Sequence, residues 1–366
     1  MYLYLIFYII AFLSFIELNI GKRFGKPVML FFILLFFCLS FLRWERGSDW
    51  EAYKFIFENI GSNEYLKNSY EFLFSKLNVI VYDLTGNLSV LLFCEGAIIF
   101  FCFYYILKKY SDGLLISLLV WLSLSIASIF FTRQAIAIAV CVFSFHYIFQ
   151  RKLLLYLLVV FIAMLFHKSA FIFLPAYWIY TLKLSRKQVI IIVASSFALT
   201  LVASSLLAIV ASSGLGSVSE RGTLYLESGS DEAFGSAYSP METMIRGVIY
   251  RLGLLAIFIV YFFDKYEKEE KFRGIFNLYL ISVVLFILFV PISVALIRFS
   301  GYYEIFQIFL FPVLVSLTKN KIYKNMLMLL MIIYLGFKFS GVISAYEDLY
   351  IPYKSIFNKE FPVKVG

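Results

Sequence analysis

The chain is 366 residues long, 62% hydrophobic and only 15% charged, with a formal net charge of +9. A soluble domain carries about 25% charged and about 45–50% apolar residues, so this composition excludes a water-soluble globular protein. Its 43 Phe and 27 Tyr sit in recurrent apolar runs, which suit helices crossing a hydrocarbon core roughly 30 Å thick at about 20 residues each.

In chain order the predicted spans cover residues 2–20, 28–42, 88–107, 114–131, 134–150, 153–166, 169–182, 188–211, 243–263, 274–295, 302–318 and 326–343. Ten-residue segments of alternating hydrophobicity, the mark of a membrane β-barrel, are absent. The expectation is an all-α polytopic bundle of about twelve spans. A single membrane domain, 1–366, would enclose an outward-facing cavity. The first run lacks a basic start and an Ala-x-Ala site, so it reads as a retained helix. Two longer connections interrupt the pattern. In 43–87, Trp50, Tyr53 and Phe57 recur at helical spacing and Tyr70–Val81 is again amphipathic, which predicts helices lying in the interface. Residues 212–240 hold five glycines and eight serines, so 212–242 reads as a flexible loop.

Orientation follows from the cations. Seventeen of the 32 lysines and arginines fall in short connectors at every second hairpin, from Lys22, Arg23 and Lys26 to Lys319, Lys321 and Lys324. The cation-rich connectors are expected on the cytoplasmic side, which puts both termini outside. The remaining cations are richer in arginine, and they oppose that bias. Arg43 and Arg46 follow the second predicted span, Arg133 the fourth and His167 the sixth. Arg246 and Arg251 open the ninth, and Arg298 follows the tenth.

Arginine suits a diphosphate, because its planar fork donates two parallel hydrogen bonds and stays protonated. A cation at an interface can equally snorkel to lipid phosphate. Arg251, deepest in its span, is the costliest to leave to lipid. His167 is a candidate base for a sugar hydroxyl, with Asp49 the competing carboxylate. Glu95, inside the third span, calls for a partner such as an arginine or a hydroxyl. Glu242 and Glu304, with Tyr302 and Tyr303, are candidate sugar contacts. The four cysteines lie inside apolar runs, only two histidines exist, and no spacing resembles a metal site; no metal or other cofactor is expected.

These outer motifs resemble the EpsG-like, Wzy-type bacterial polysaccharide polymerases. The resemblance rests on Arg43 with Gly47-Ser48-Asp49-Trp50 and Tyr53, on Arg133-Gln134 with Ala137, and on His167-Lys168-Ser169-Ala170. It continues through Arg298 to Tyr303, Pro312 and Pro352-Tyr353. Ser48 and Trp50 stand where that family more often shows Thr and Tyr. The resemblance implies an inner-membrane glycosyltransferase that joins oligosaccharide repeat units carried on undecaprenyl diphosphate, for O-antigen or exopolysaccharide. The partners it implies are those lipid-linked oligosaccharides, the bilayer and a chain-length regulator protein, with no nucleic acid. Two rivals share the cationic cavity: a flippase for lipid-linked oligosaccharide, and a different polyprenyl-dependent glycosyltransferase or ligase. A flippase would carry cations in both halves and favour an internal repeat, and no convincing repeat is present.

Overall fold

The computed structural model describes residues 2–47, 49–130, 133–212, 240–292 and 294–358. Among them there are helices, turns and one isolated bridge, and no strand. Six helices among the described residues are long and apolar enough to cross a membrane: Tyr2–Ile20, Lys22–Phe41, Leu88–Tyr110, Met241–Tyr261, Glu270–Phe289 and Lys321–Ala345. Shorter apolar helices accompany them. The protein is an all-α, multi-pass membrane protein.

Contacts divide the chain into two compact units, Met1–Leu174 with Gln307–Gly366, and Pro175–Phe306. The first unit opens with α1 (Tyr2–Ile20) and α2 (Lys22–Phe41). The predicted interfacial segment forms three short helices, α3 (Trp50–Asn59), α4 (Glu64–Ser69) and α5 (Phe72–Thr85). The stripe read from the sequence faces inward on α3, where Trp50 and Phe57 are buried. Phe55, Tyr65 and Phe72 stay exposed, as an element lying against lipid requires. Then come α6 (Leu88–Tyr110), α7 (Leu114–Phe130), α8 (Arg133–Phe149) and α9 (Leu153–Phe166).

Trp121 of α7 is the centre of the core. Its ring stacks on Phe103 at 4.2 Å and meets Phe100 and Phe36 edge-on at 5.4 and 6.2 Å. Helix α8 is lined with small side chains, Ala135, Ala137, Ala139 and Cys141, all buried. Small residues let backbones approach closely where lipid supplies no hydrophobic drive between helices, and α8 accordingly packs on both α6 and α9. Glu17 of α1 is buried and satisfied at the start of α7, accepting from the N–H groups of Leu114 and Leu115 at 3.0 and 2.7 Å.

Two predicted spans differ in the structure. Residues 169–182 form no continuous α-helix but a 3-10 helix, Lys168–Phe173, followed by the single turn Ala176–Ile179. Pro175 brings no N–H to a helical ladder. The Tyr156 hydroxyl instead donates to the carbonyl oxygens of Phe173 and Leu174. Residues 302–318 are likewise broken, into Gly301–Glu304 and Gln307–Leu317. The flexible loop read from the sequence lies, for 213–239, outside the described residues.

In the second unit, Tyr266 and Asn277 are cross-ties. The Tyr266 hydroxyl donates to Asn277 at 2.9 Å and accepts from the Leu184 N–H at 3.0 Å, while the Asn277 amide donates to the carbonyls of Ile179 and Leu182.

Gly47 gives the fold a sharp test. Its φ of 102° is open to glycine at little cost, and a Cβ there would lie 2.7 Å from the Phe130 carbonyl oxygen. Both strain and clash penalise any side chain. Gly47→Ala is expected to lower stability by about 1–3 kcal/mol, read as a drop in melting temperature of the purified protein.

Candidate active site

The chain leaves α2 into a turn that the C-terminal segment holds in place. Arg43 pairs with Ser355 in an antiparallel bridge. The N–H of Trp44 donates to Lys354 O at 2.8 Å, that of Gly47 to Leu349 O at 3.0 Å, and that of Ile356 to Leu42 O at 2.9 Å. Arg46 joins this lacing, donating from Nε to Pro352 O at 2.5 Å and from Nη1 to Glu45 O at 3.0 Å. The Lys354 ammonium closes on Glu45 and holds that carboxyl below its usual range. Arg46 is buried and acts as a strut between the turn and the C-terminal segment, with two donors turned to backbone rather than to a ligand.

Arg43 lies deeper. Its Nη1 donates to Ser40 O at 2.9 Å, and its guanidinium sits 5.8 Å from the centre of the Trp50 ring. Burial draws it down to about 10, opposed by the charge of Glu95, so it remains a cation at neutral pH. Glu95, the buried acid within the third predicted span, acts on Arg43 through its charge alone: neither of its oxygens accepts a hydrogen bond among the described residues.

From there aromatic rings lead to the next arginine. Tyr53 on α3 meets Phe74 on α5 at 5.9 Å, and Phe74 meets Tyr70 at 5.8 Å. The Arg133 guanidinium lies over these rings, 5.1 Å from Tyr70 and 5.8 Å from Phe74. Its Nη1 donates to Glu71 Oε2 at 3.1 Å. The other Glu71 oxygen accepts from the backbone N–H of Lys168, also at 3.1 Å. Burial alone pushes the Glu71 carboxyl up, but Arg133, the Lys168 N–H and nearby His167 together hold it below the usual carboxylate range. One carboxylate thus ties the Arg133 motif to the His167 motif.

His167 itself is the N-cap of the 3-10 helix. With extended backbone at φ −156°, ψ 117°, it turns its Nδ1 onto Ser169, 3.3 Å from the N–H and 2.5 Å from the hydroxyl. A backbone N–H only donates, so this contact favours the lone pair on Nδ1 and the proton on Nε2. The N–H groups of Lys168 and Ser169, which a helix start leaves without internal partners, are met by Glu71 and His167.

The EpsG family profile matches residues 26–355, which takes in all of these groups except Ile356. The chain belongs to the EpsG family. It is therefore a polysaccharide-polymerase-type, glycosyltransferase-like membrane protein. No curated protein and no solved structure matches it. The matched span ends at Ser355, the residue bridged to Arg43.

The other residues expected at a site from the sequence divide sharply. Asp49 is the exposed N-cap residue of α3, and its side chain makes no cap hydrogen bond. In the second unit Arg251 is buried, with its guanidinium 3.7 Å over the Phe286 ring and its charge met by Glu304. Arg246, Glu242 and Arg298 are exposed. Tyr302 and Tyr303, the expected sugar contacts, are both buried, at 0% and 1% exposure. Glu71 carries no sequence signal beyond an acid just before an amphipathic segment, and the sequence reading passes over it.

If His167 is chiefly a cap, the substitution pattern is specific. His167→Asn keeps a side chain that caps well and is expected to retain the wild-type melting temperature. His167→Ala, with no acceptor, is expected to cost about 1 kcal/mol, measured on the purified protein.

Proposed function

We propose that this EpsG-family protein joins oligosaccharide repeat units carried on undecaprenyl diphosphate, at the extracytoplasmic face of the bacterial cytoplasmic membrane. The growing chain passes from its lipid carrier to a hydroxyl of a new lipid-linked unit. The bond from the anomeric carbon to the diphosphate oxygen breaks, and a bond from the acceptor oxygen to that carbon forms. The acceptor proton goes to a base, and the lipid diphosphate leaves with the electron pair.

The observation that supports this reading is the meeting of three separate motifs, residues 43–53, Arg133 and His167–Ser169, around Glu71. The Arg133 side chain is one-quarter exposed and its fork is held against Tyr70 and Phe74. A donor fixed in advance stabilises charge as it develops on the departing diphosphate, without reorganisation at the moment of reaction. Arg43 adds a buried positive charge behind Trp50. In this reading arginines supply the neutralising charge, and no metal is called upon.

The base is assigned by elimination among the acids and the histidine. Glu71 has both oxygens committed to donors, and His167 directs its Nδ1 lone pair at Ser169. Asp49 is the exposed carboxylate at the head of α3, beside the Arg43–Trp50 contact, and we assign it the acceptor's proton.

The test is the polymer length ladder in strains with matched protein levels. Arg133→Lys keeps the charge but not the fork, and a lost oxyanion-type donor costs roughly 10²–10³-fold. Asp49→Asn is expected to lose roughly 10²–10⁴-fold. Arg186→Lys, in an exposed ion pair with Asp264, is expected to be neutral. A wild-type ladder from Arg133→Lys would remove the diphosphate role. Polymer from Asp49→Asn but none from a folded His167→Asn would return the base to the histidine.

A further inference from the structure

We infer that Glu71 is a positioning residue that exchanges Arg133 with the substrate's diphosphate, holding the arginine between turnovers and retaking it when the spent lipid diphosphate leaves. This inference rests on the diphosphate role proposed for Arg133.

The geometry of the resting pair supports exchange. A guanidinium and a carboxylate reach their best contact through two parallel hydrogen bonds, yet here only Nη1 of Arg133 meets Glu71. The Arg133 Nε is buried and has no hydrogen-bond partner among the described residues. A buried donor without an acceptor is costly, more so in a charged group, so the arginine can gain a bond by rotating toward an anion with oxygens to spare. A diphosphate is such an anion. Glu71 is free to let go, because its second oxygen stays on the Lys168 N–H and its side chain makes no cap hydrogen bond to α5. The carboxylate is 7% exposed, so it has little water to turn to and recaptures the arginine once the diphosphate departs. Electrostatically the two anions compete for one cation. That competition weakens the hold on the ground-state lipid diphosphate and allows its release, which a processive enzyme needs once per added unit.

The exchange makes a prediction opposite to that of a damaged fold. Removing the Glu71 charge should tighten binding of a diphosphate, whereas loss of structure would weaken it. The experiment measures binding of farnesyl diphosphate, a short polyprenyl diphosphate probe, to the purified full-length protein in detergent. Glu71→Gln is expected to bind roughly 10-fold tighter than wild type, the scale of one charge-assisted hydrogen bond, and Arg133→Gln to bind at least roughly 10-fold weaker. Glu71→Asp keeps the charge but is a methylene too short to span both donors, so it should tighten binding by less; it carries the test if the glutamine variant does not fold. Wild-type or weaker affinity in a folded Glu71 variant, with Arg133→Gln still defective, overturns the exchange alone. Equal affinity of wild type and Arg133→Gln, or no binding by the wild type, overturns the diphosphate role on which the exchange rests.

Discussion

A buried carboxylate has to be met by donors, and in this protein the donors of Glu71 come from two places far apart in sequence. One is the side chain of Arg133 at the start of α8; the other is the backbone of Lys168 after α9. Glu71 thus ties the start of α8 to the segment that follows α9. The interaction therefore fixes the hairpin ends that carry the family's motifs. The aromatic faces of Tyr70 and Phe74 then set the plane of the arginine.

The same demand sorts the cations into kinds. Arg46 donates to carbonyl oxygens of the turn and of the C-terminal segment, although its Nη2 has no hydrogen-bond partner among the described residues, and Arg251 meets Glu304. These hold the fold, and their charge is answered internally. Arg43 is buried beside Trp50, with its Nη1 donating to Ser40 O. Arg133 keeps an exposed portion and an unsatisfied Nε, so within the first unit it is the arginine best prepared to take a ligand. A row of outward arginines in a sequence is thus not one functional class. Burial and partners separate the struts from the reagent.

Much of this was legible in the sequence where a single physical quantity decides. An apolar run of membrane length becomes a helix, and Tyr2–Ile20 and Leu153–Phe166 have the boundaries expected from composition. Charges stand out against such runs: Arg43, Arg133 and His167 at hairpins between them, and Glu95 inside one. Hydropathy measures the length of an apolar run and not where its backbone hydrogen bonds go. Residues 169–182 are apolar enough for a span, but Pro175 and the Tyr156 hydroxyl redirect the chain. The burial of Tyr302 and Tyr303 depends on neighbours that no local pattern reveals. Glu71 was invisible for the converse reason: in a polar connection an acid is ordinary, and only the fold brings Arg133 and Lys168 to it.

The central claim is that this chain alone performs glycosyl transfer with lipid diphosphate as the leaving group and arginine as its counter-charge. The most direct measurement reconstitutes the purified protein with an undecaprenyl-diphosphate-linked repeat unit in excess chelator, and follows polymer and released lipid diphosphate together. The account predicts a ladder of products, with one lipid diphosphate released for each unit added. Activity that disappears in chelator and returns with magnesium or manganese, or repeat units moved across the membrane without being joined, would contradict it.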